Sequence, residues 1–235
     1  MKVINDLYDY EGFKIAQDPE SFKFSLDSIL LAEYVRLKDS KSKVLDLCTG
    51  NAVIPLILSY YYSNEIVGFE IQKSSFDLAL ESIKINGKEQ QIQIINDDVR
   101  ELKNYYSSQS FEVVVANPPY FKLNKQSLIN QNDHKAFARH EISLCLEDLF
   151  KISKYILKEK GVFYLVHLPE RLEEILFFCE KYKIRAKKIH FIFSKGKVKA
   201  QMVLIKCVKG GNNKLDVHSI EAINLYKSYK NLFRM

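Results

Sequence analysis

Short apolar runs alternate along the middle of the chain with longer stretches in which apolar residues recur every three or four positions. The first kind of pattern predicts buried strands and the second amphipathic helices. Residues 44–56 predict a strand, a tight turn and a helix. Strands follow over residues 65–72, 91–96, 111–116 and 162–166. Between them lie helices from Ser74 or Ser75 to Asn86, from about Ser143 to Lys160, and from Glu170 to about Lys183. Gly87 and Gly161 are placed to stop the first two of these helices. Residues 189–193 and 202–208 predict two strands joined by a basic turn through Gly196. Ahead of the alternation, residues 1–26 form a hairpin or irregular arm, and Ser25 or Asp27 can cap a helix through Ile29, Leu30, Ala32 and Tyr34. Residues 121–141 stay polar, a length that inside a compact domain usually signals function. Residues 215–235 are weakly amphipathic, in the manner of a helical tail. The order implies a parallel sheet with helices on both faces, closed by an antiparallel strand pair. The expected division is an arm and helix over 1–40, an α/β domain over 41–210 and a tail over 211–235.

Composition narrows the class. At 235 residues with 47% hydrophobic content, the chain suits one large domain. No apolar run approaches the ~20 residues of a membrane span, and the first residues lack a signal-peptide apolar core. Cys48, Cys145, Cys179 and Cys207 are scattered without a Cys-x-x-Cys pair, as expected of reduced thiols in a cytoplasmic protein. The five histidines lack metal-ligand spacing, so no metal is expected. The net charge of +6 is local. Eight basic residues and no acidic one lie between Lys181 and Lys199, and without them the chain is slightly acidic. That concentration points to a polyanion-binding patch.

The candidate chemistry sits at strand ends. The run 111–116 leads into Asn117-Pro118-Pro119-Tyr120. The carboxyl end of a parallel strand is where open α/β sheets place ligands. An amine conjugated to a ring or carbonyl is a poor nucleophile. Two acceptors aimed at its N–H bonds draw it toward tetrahedral geometry, and the Asn117 side-chain oxygen and the Pro118 carbonyl can supply them. Pro118 and Pro119 stiffen the backbone, and Tyr120 offers a flat face to a flat substrate. Three more polar signals end earlier strands: Asp46 before the Gly50 turn, Glu70 twenty residues after Gly50, and Asp98. The Gly50–Glu70 spacing is close to that of nucleotide-binding folds whose acid takes a ribose. Ala52 stands where a second glycine would be expected, and alanine disfavours positive φ.

The tetrapeptide resembles that of S-adenosylmethionine-dependent methyltransferases acting on planar amino groups. The combination is more specific. Phe22-Lys23-Phe24-Ser25-Leu26-Asp27-Ser28-Ile29-Leu30-Leu31-Ala32, Asp46-Leu47-Cys48-Thr49-Gly50-Asn51, Val67-Gly68-Phe69-Glu70-Ile71-Gln72, Asn117-Pro118-Pro119-Tyr120-Phe121, Ala138-Arg139-His140-Glu141 and Met202-Val203-Leu204-Ile205 together resemble the bacterial tRNA1(Val) adenine-37 N6-methyltransferases. The resemblance spans about residues 5–210. It implies a seven-stranded Rossmann-like class I methyltransferase sheet with a C-terminal antiparallel pair, and methyl transfer from S-adenosylmethionine to adenosine beside the anticodon of a cytoplasmic tRNA. On that basis Asp46 and the Gly50 turn hold the cofactor's amino-acid end, Glu70 the ribose and Asp98 the adenine amine. Cys48, Thr49, Asn51, Ile71 and Val99 are further cofactor contacts, and Asn117 faces the methyl. Asn117, Pro118, Pro119 and Tyr120 form the catalytic set.

The expected tRNA contacts are Lys122, Arg139, Arg185, Lys187, Lys188, Lys195, Lys197 and Lys199, in an enzyme acting as a monomer. A protein glutamine-N5 methyltransferase shares the tetrapeptide, but that class typically carries an extra helical domain before the fold. A non-catalytic RNA-binding protein would not require an intact Asn117 and Tyr120.

Overall fold

The computed structural model describes residues 2–18, 26–119, 144–194 and 196–221. A hairpin of β1 (Val3–Asp6) and β2 (Lys14–Gln17) comes first, then α1 (Leu26–Tyr34). The alternating part runs β3 (Val44–Asp46), α2 (Val53–Tyr61), β4 (Ile66–Phe69), α3 (Lys73–Ile85), β5 (Ile92–Ile95) and β6 (Phe111–Ala116). It continues with α4 (Leu146–Ile156), β7 (Leu157–His167), α5 (Leu172–Lys181), β8 (Ile184–Phe193), β9 (Ala200–Lys209) and β10 (Asp216–Glu221). The main sheet has eight strands in the order β10-β8-β9-β7-β6-β3-β4-β5. Strands β5, β4, β3, β6 and β7 are mutually parallel, and β9 joins them antiparallel through β7.

The helices cover both faces. Leu30, Ile54, Ile57, Ala79 and Ile83, from α1 to α3, pack into one apolar layer with Val113, Val115, Tyr164 and Leu204. Leu149, Phe150, Ile175 and Phe178, from α4 and α5, pack into the other with Val114, Phe163 and Ile205. The central strands are therefore apolar on both sides, which is why they appear as unbroken runs.

Three expectations need correction. The sheet has an eighth strand, because β10 pairs in parallel with β8 where a helical tail was expected. Gly161 does not stop a helix. The helix ends at Ile156, and β7 starts at Leu157 by pairing with Phe111. The register then slips, so that Val162 faces Val113 and residues 158–161 bulge. A Cβ on Gly161 would lie 2.8 Å from the Lys158 carbonyl oxygen, so glycine serves a tight bulge here rather than a helix end. The strands of the C-terminal pair are also longer than the apolar pattern implied, and Arg185, Lys187 and Lys188 lie within β8.

The N-terminal hairpin is tied to the core. Ala16 N–H donates to Ser82 Oγ at 3.0 Å, and Asn86 both accepts from and donates to the Lys14 backbone at 2.8 and 2.7 Å. Tyr10 and Tyr61 hydroxyls donate to the wholly buried Glu33 at 2.7 and 2.5 Å. Half-buried Tyr61 thus helps satisfy a buried carboxylate.

Candidate active site

Chain order reverses between β3 and β6: β4 and β5 build outward on one side of β3, and the chain then crosses to its other side. Such a switch point opens a crevice at the strands' carboxyl ends. Asp46, which ends β3, pairs with Gly68 of β4 and Val115 of β6. Asn117 follows two residues after Val115. The predicted strand-end residues therefore converge across adjacent strands.

Asp46 is wholly buried, and neither carboxylate oxygen has a hydrogen-bond partner among the described residues. Burial pushes its pKa up to about 7, and Glu70 adds to the shift. The Thr49 hydroxyl and the Cys48 amide oppose it without reaching hydrogen-bond geometry. A buried carboxylate left in this condition is costly and marks a functional site. Burial, then Asp46, Glu70 and Asp98, raise the Cys48 thiol well above its usual range, so all three acids converge on this turn.

The turn is latched to the next strand. Glu70 accepts the Gly50 N–H on one carboxylate oxygen and the Gln72 N–H on the other, both at 2.8 Å. Burial still raises the Glu70 pKa against these two bonds. Gly50 takes φ +57°. Ala52 takes φ +70°, the conformation that alanine resists, at a strain of roughly 1–2 kcal/mol. Asn51 donates to the Ala16 carbonyl at 3.1 Å, fastening the hairpin to the turn. Gly68 permits the close fit: a Cβ there would sit 2.8 Å from both Thr49 Oγ1 and Ile94 Cδ1.

Asp98 is less open than the sequence implied. It caps a short 3-10 helix by accepting the Arg100 N–H at 2.9 Å, and the Arg100 guanidinium grips both carboxylate oxygens. Burial works against its ionisation, but Arg100 outweighs this and holds its pKa below the usual range. Val99 is buried, whereas Ile71 leaves half its surface exposed next to Glu70.

Asn117 is half-buried, Pro118 buried and Pro119 exposed. The Asn117 Nδ2 donates to Ser28 Oγ of α1 at 2.9 Å. The Ser28–Asn117 bond is not visible in the sequence because 89 residues separate the two.

Tyr120, Lys122, Arg139 and Lys195 lie outside the described residues. Most described members of the basic block have partners within the fold. Arg185 pairs with Glu180, Lys181 with Glu147 at 2.7 Å, Lys183 with Glu180 at 2.6 Å and Lys199 with Glu170 at 2.9 Å. Lys187 donates to Asn212 and to the Lys214 carbonyl. Of the block's described members, Lys188 and Lys197 form no ion pair with a described residue. Exposed pairs hold weakly, at about 0–1 kcal/mol, but they cancel charge. No group of three or more potential metal ligands occurs among the described residues. No helix among them is long and apolar enough to cross a membrane.

Comparison with known proteins agrees with this geometry. The family model described as methyltransferase small domain matches residues 23–177. The chain is similar to proteins named tRNA1(Val) (adenine(37)-N6)-methyltransferase. The one from Pseudoalteromonas translucida is 30% identical over 180 residues, 74% of this chain and 70% of that protein. The one from Bacteroides thetaiotaomicron is 26% identical over 184 residues, 77% of this chain and 75% of that protein. A third, from Bacteroides fragilis, is 27% identical over 159 residues, and the chain spans 65% of its length. Among solved structures, one described as a predicted O-methyltransferase from Agrobacterium tumefaciens has a TM-score of 0.65 at 19% identity, covering 87% of this chain and 90% of that one. M. jannaschii TYW2 in complex with AdoMet has a TM-score of 0.58 at 14% identity, covering 88% and 85%. These two likenesses are of fold.

Proposed function

Because the chain belongs to the methyltransferase small domain family, we propose that it transfers a methyl group from S-adenosylmethionine to N6 of an adenine in tRNA, adenosine 37 beside the anticodon of tRNA-Val. The observation that carries the reading is the Asn117 amide at the switch point, its nitrogen fixed by Ser28. The names of the similar proteins support the choice of substrate over a protein glutamine. An enzyme acting on tRNA works where tRNA is, in the cytoplasm.

The residues present fit the cofactor. Asp46 is a buried carboxylate with unmet hydrogen-bonding capacity, suited to the cationic amino-acid end together with the Gly50 turn, Cys48 and Thr49. Glu70 takes the ribose hydroxyls. Ile71 and Val99 flank the adenine, and Asp98 takes its amine while shared with Arg100. When bound, S-adenosylmethionine supplies an electrophilic methyl on a positively charged sulfur. This chain supplies the activation of the amine: Asn117 Oδ1 and the Pro118 carbonyl accept its two N–H bonds and strengthen that grip as the nitrogen becomes tetrahedral. Tyr120 stacks on the base. A loop adenine is nearly free to enter, whereas a duplex adenine must be flipped at a cost of a few kcal/mol.

The test is methyl transfer from labelled cofactor to tRNA-Val, followed by nucleoside mass spectrometry. N6-methyladenosine at position 37 is expected, with none formed when that base is guanine. Asn117→Ala should lose most of the turnover and keep much of the cofactor affinity. Label on a glutamine peptide, with none on tRNA, would overturn the reading.

A further inference from the structure

Helix α1 joins the reactive amide to a second charged surface. Ser28, near its start, holds Asn117. Its hydrogen bonding continues through Val35 N–H to the Leu31 carbonyl at 3.1 Å, and Arg36 and Lys38 follow. Eight residues at the helical rise place Arg36 about 12 Å along the axis from Ser28.

Around Arg36 the fold gathers cations from distant parts of the chain. Tyr164 of β7 clamps the Arg36 backbone: its hydroxyl accepts the Arg36 N–H and donates to the Arg36 carbonyl, both at 3.3 Å. Lys206 of β9 sets its Nζ 5.8 Å from the centre of the same Tyr164 ring. Lys188 of β8 stands directly opposite Lys206 in the antiparallel pair, on the same sheet face. Burial, then Lys188, Lys38 and Arg36, hold the Lys206 pKa below its ordinary value. Lys38, Lys188 and Lys206 form no ion pair with any described residue. Asp216 of β10 is in register with Lys188 and yet makes no ion pair with it.

The Arg36 guanidinium turns back onto the end of α1, donating to the Glu33 and Val35 carbonyls at 2.6 and 2.7 Å. Three lysines held this close without a carboxylate among the described residues oppose the folded state. A ligand bearing several spaced negative charges removes that cost. The three side chains come from the segment after α1, from β8 and from β9, which matches a chain of phosphates better than a single anion. We infer that Lys38, Lys188 and Lys206 bind the phosphate backbone of the RNA strand flanking the target base. The inference rests on the tRNA reading and deepens it: α1 sets the distance between the amide that meets the base and the cations that meet its neighbours' phosphates.

The test measures tRNA binding against salt for the wild type, for Lys188→Gln with Lys206→Gln, and for the ion-paired control Lys181→Gln with Lys183→Gln. Each phosphate contact contributes ~0.7–0.9 to the slope of log affinity on log salt. The first double variant should therefore lose roughly 1.4–1.8 of slope and raise the KM for tRNA while cofactor affinity holds. The control should keep the wild-type slope. Lys38→Gln, at an exposed position, should lose about half as much as the first double variant and guards against misfolding of that variant. An unchanged slope in the first double variant and in Lys38→Gln overturns the inference, as does an equal loss in the control. Salt-dependent tRNA binding by a wild type that transfers no methyl to any tRNA would sink the methylation reading and leave the phosphate site standing.

Discussion

Asp46 is visible in the sequence as an acid before a glycine turn, but its energetic state is set by the walls around it. An acid whose folded pKa lies above its unfolded one binds more protons when folded. Its contribution to stability therefore declines as pH rises from about 4, the unfolded value, to the folded value. With the folded value at about 7, the decline is complete near neutrality. Asp46→Asn should raise the unfolding free energy by on the order of 2 kcal/mol at pH 8 and by much less at pH 5, as urea titrations at the two pH values would show. Equal gains at both would mean that Asp46 carries no such burden. Ser28 tests the neighbouring residue. Ser28→Ala should cut turnover roughly five- to tenfold, the worth of one hydrogen bond at ~1–1.5 kcal/mol, with cofactor affinity kept. Ser28→Thr keeps the hydroxyl and should restore most of the rate. A rate lost equally in both variants would mean that the helix, not the hydroxyl, matters. Neither Asp46's missing partners nor the Ser28 bond is legible from the sequence, because both depend on atoms brought from distant segments.

Among the elements, strands were legible and their ends were not. The runs at β3, β4, β5 and β6 appear in the sequence because a strand buried on both faces has to be apolar throughout. Gly161 misled because a glycine after a helical pattern looks like a stop, whereas the bulge against β6 needs one for closeness. Gly68 is the opposite case, silent in sequence and decisive in packing. Gly68→Ala places a methyl against Thr49 and Ile94 and should cost roughly 1–3 kcal/mol of stability. Pushing Thr49 and its turn should also weaken cofactor binding severalfold. Gly87→Ala makes the control: its Cβ would meet nothing within 4 Å, although φ is +62°. It should pay about 1–2 kcal/mol of backbone strain and keep cofactor affinity. Calorimetry on both variants decides, and unchanged cofactor affinity in Gly68→Ala would free the turn from that contact.

At the scale of the whole molecule, β10 is the least expected feature. It covers the edge of β8, and an uncovered edge strand is a template for pairing between chains. A chain ended after Lys214 should melt earlier and self-associate on size exclusion, while binding cofactor as before, since the crevice lies on the far side of β9 and β7. A monomeric truncation with unchanged melting would show that β8 needs no cover.

The order of strands and helices from β3 to β9 was written in the sequence, as was the row of strand-end groups, Asp46, Gly50, Glu70, Asp98 and Asn117. These are local signals, fixed by periodicity and by what a strand end can carry. Only the tertiary arrangement sets which charges stay uncancelled: Arg185 and Lys199 found carboxylates, Lys187 found neutral acceptors and Lys188 found Lys206. It alone put Ala52 at positive φ and turned the Asn117 amide toward Ser28. The physical reason is shared: pairing energies depend on distances of a few ångströms between residues tens of positions apart, and the path of the chain sets those distances.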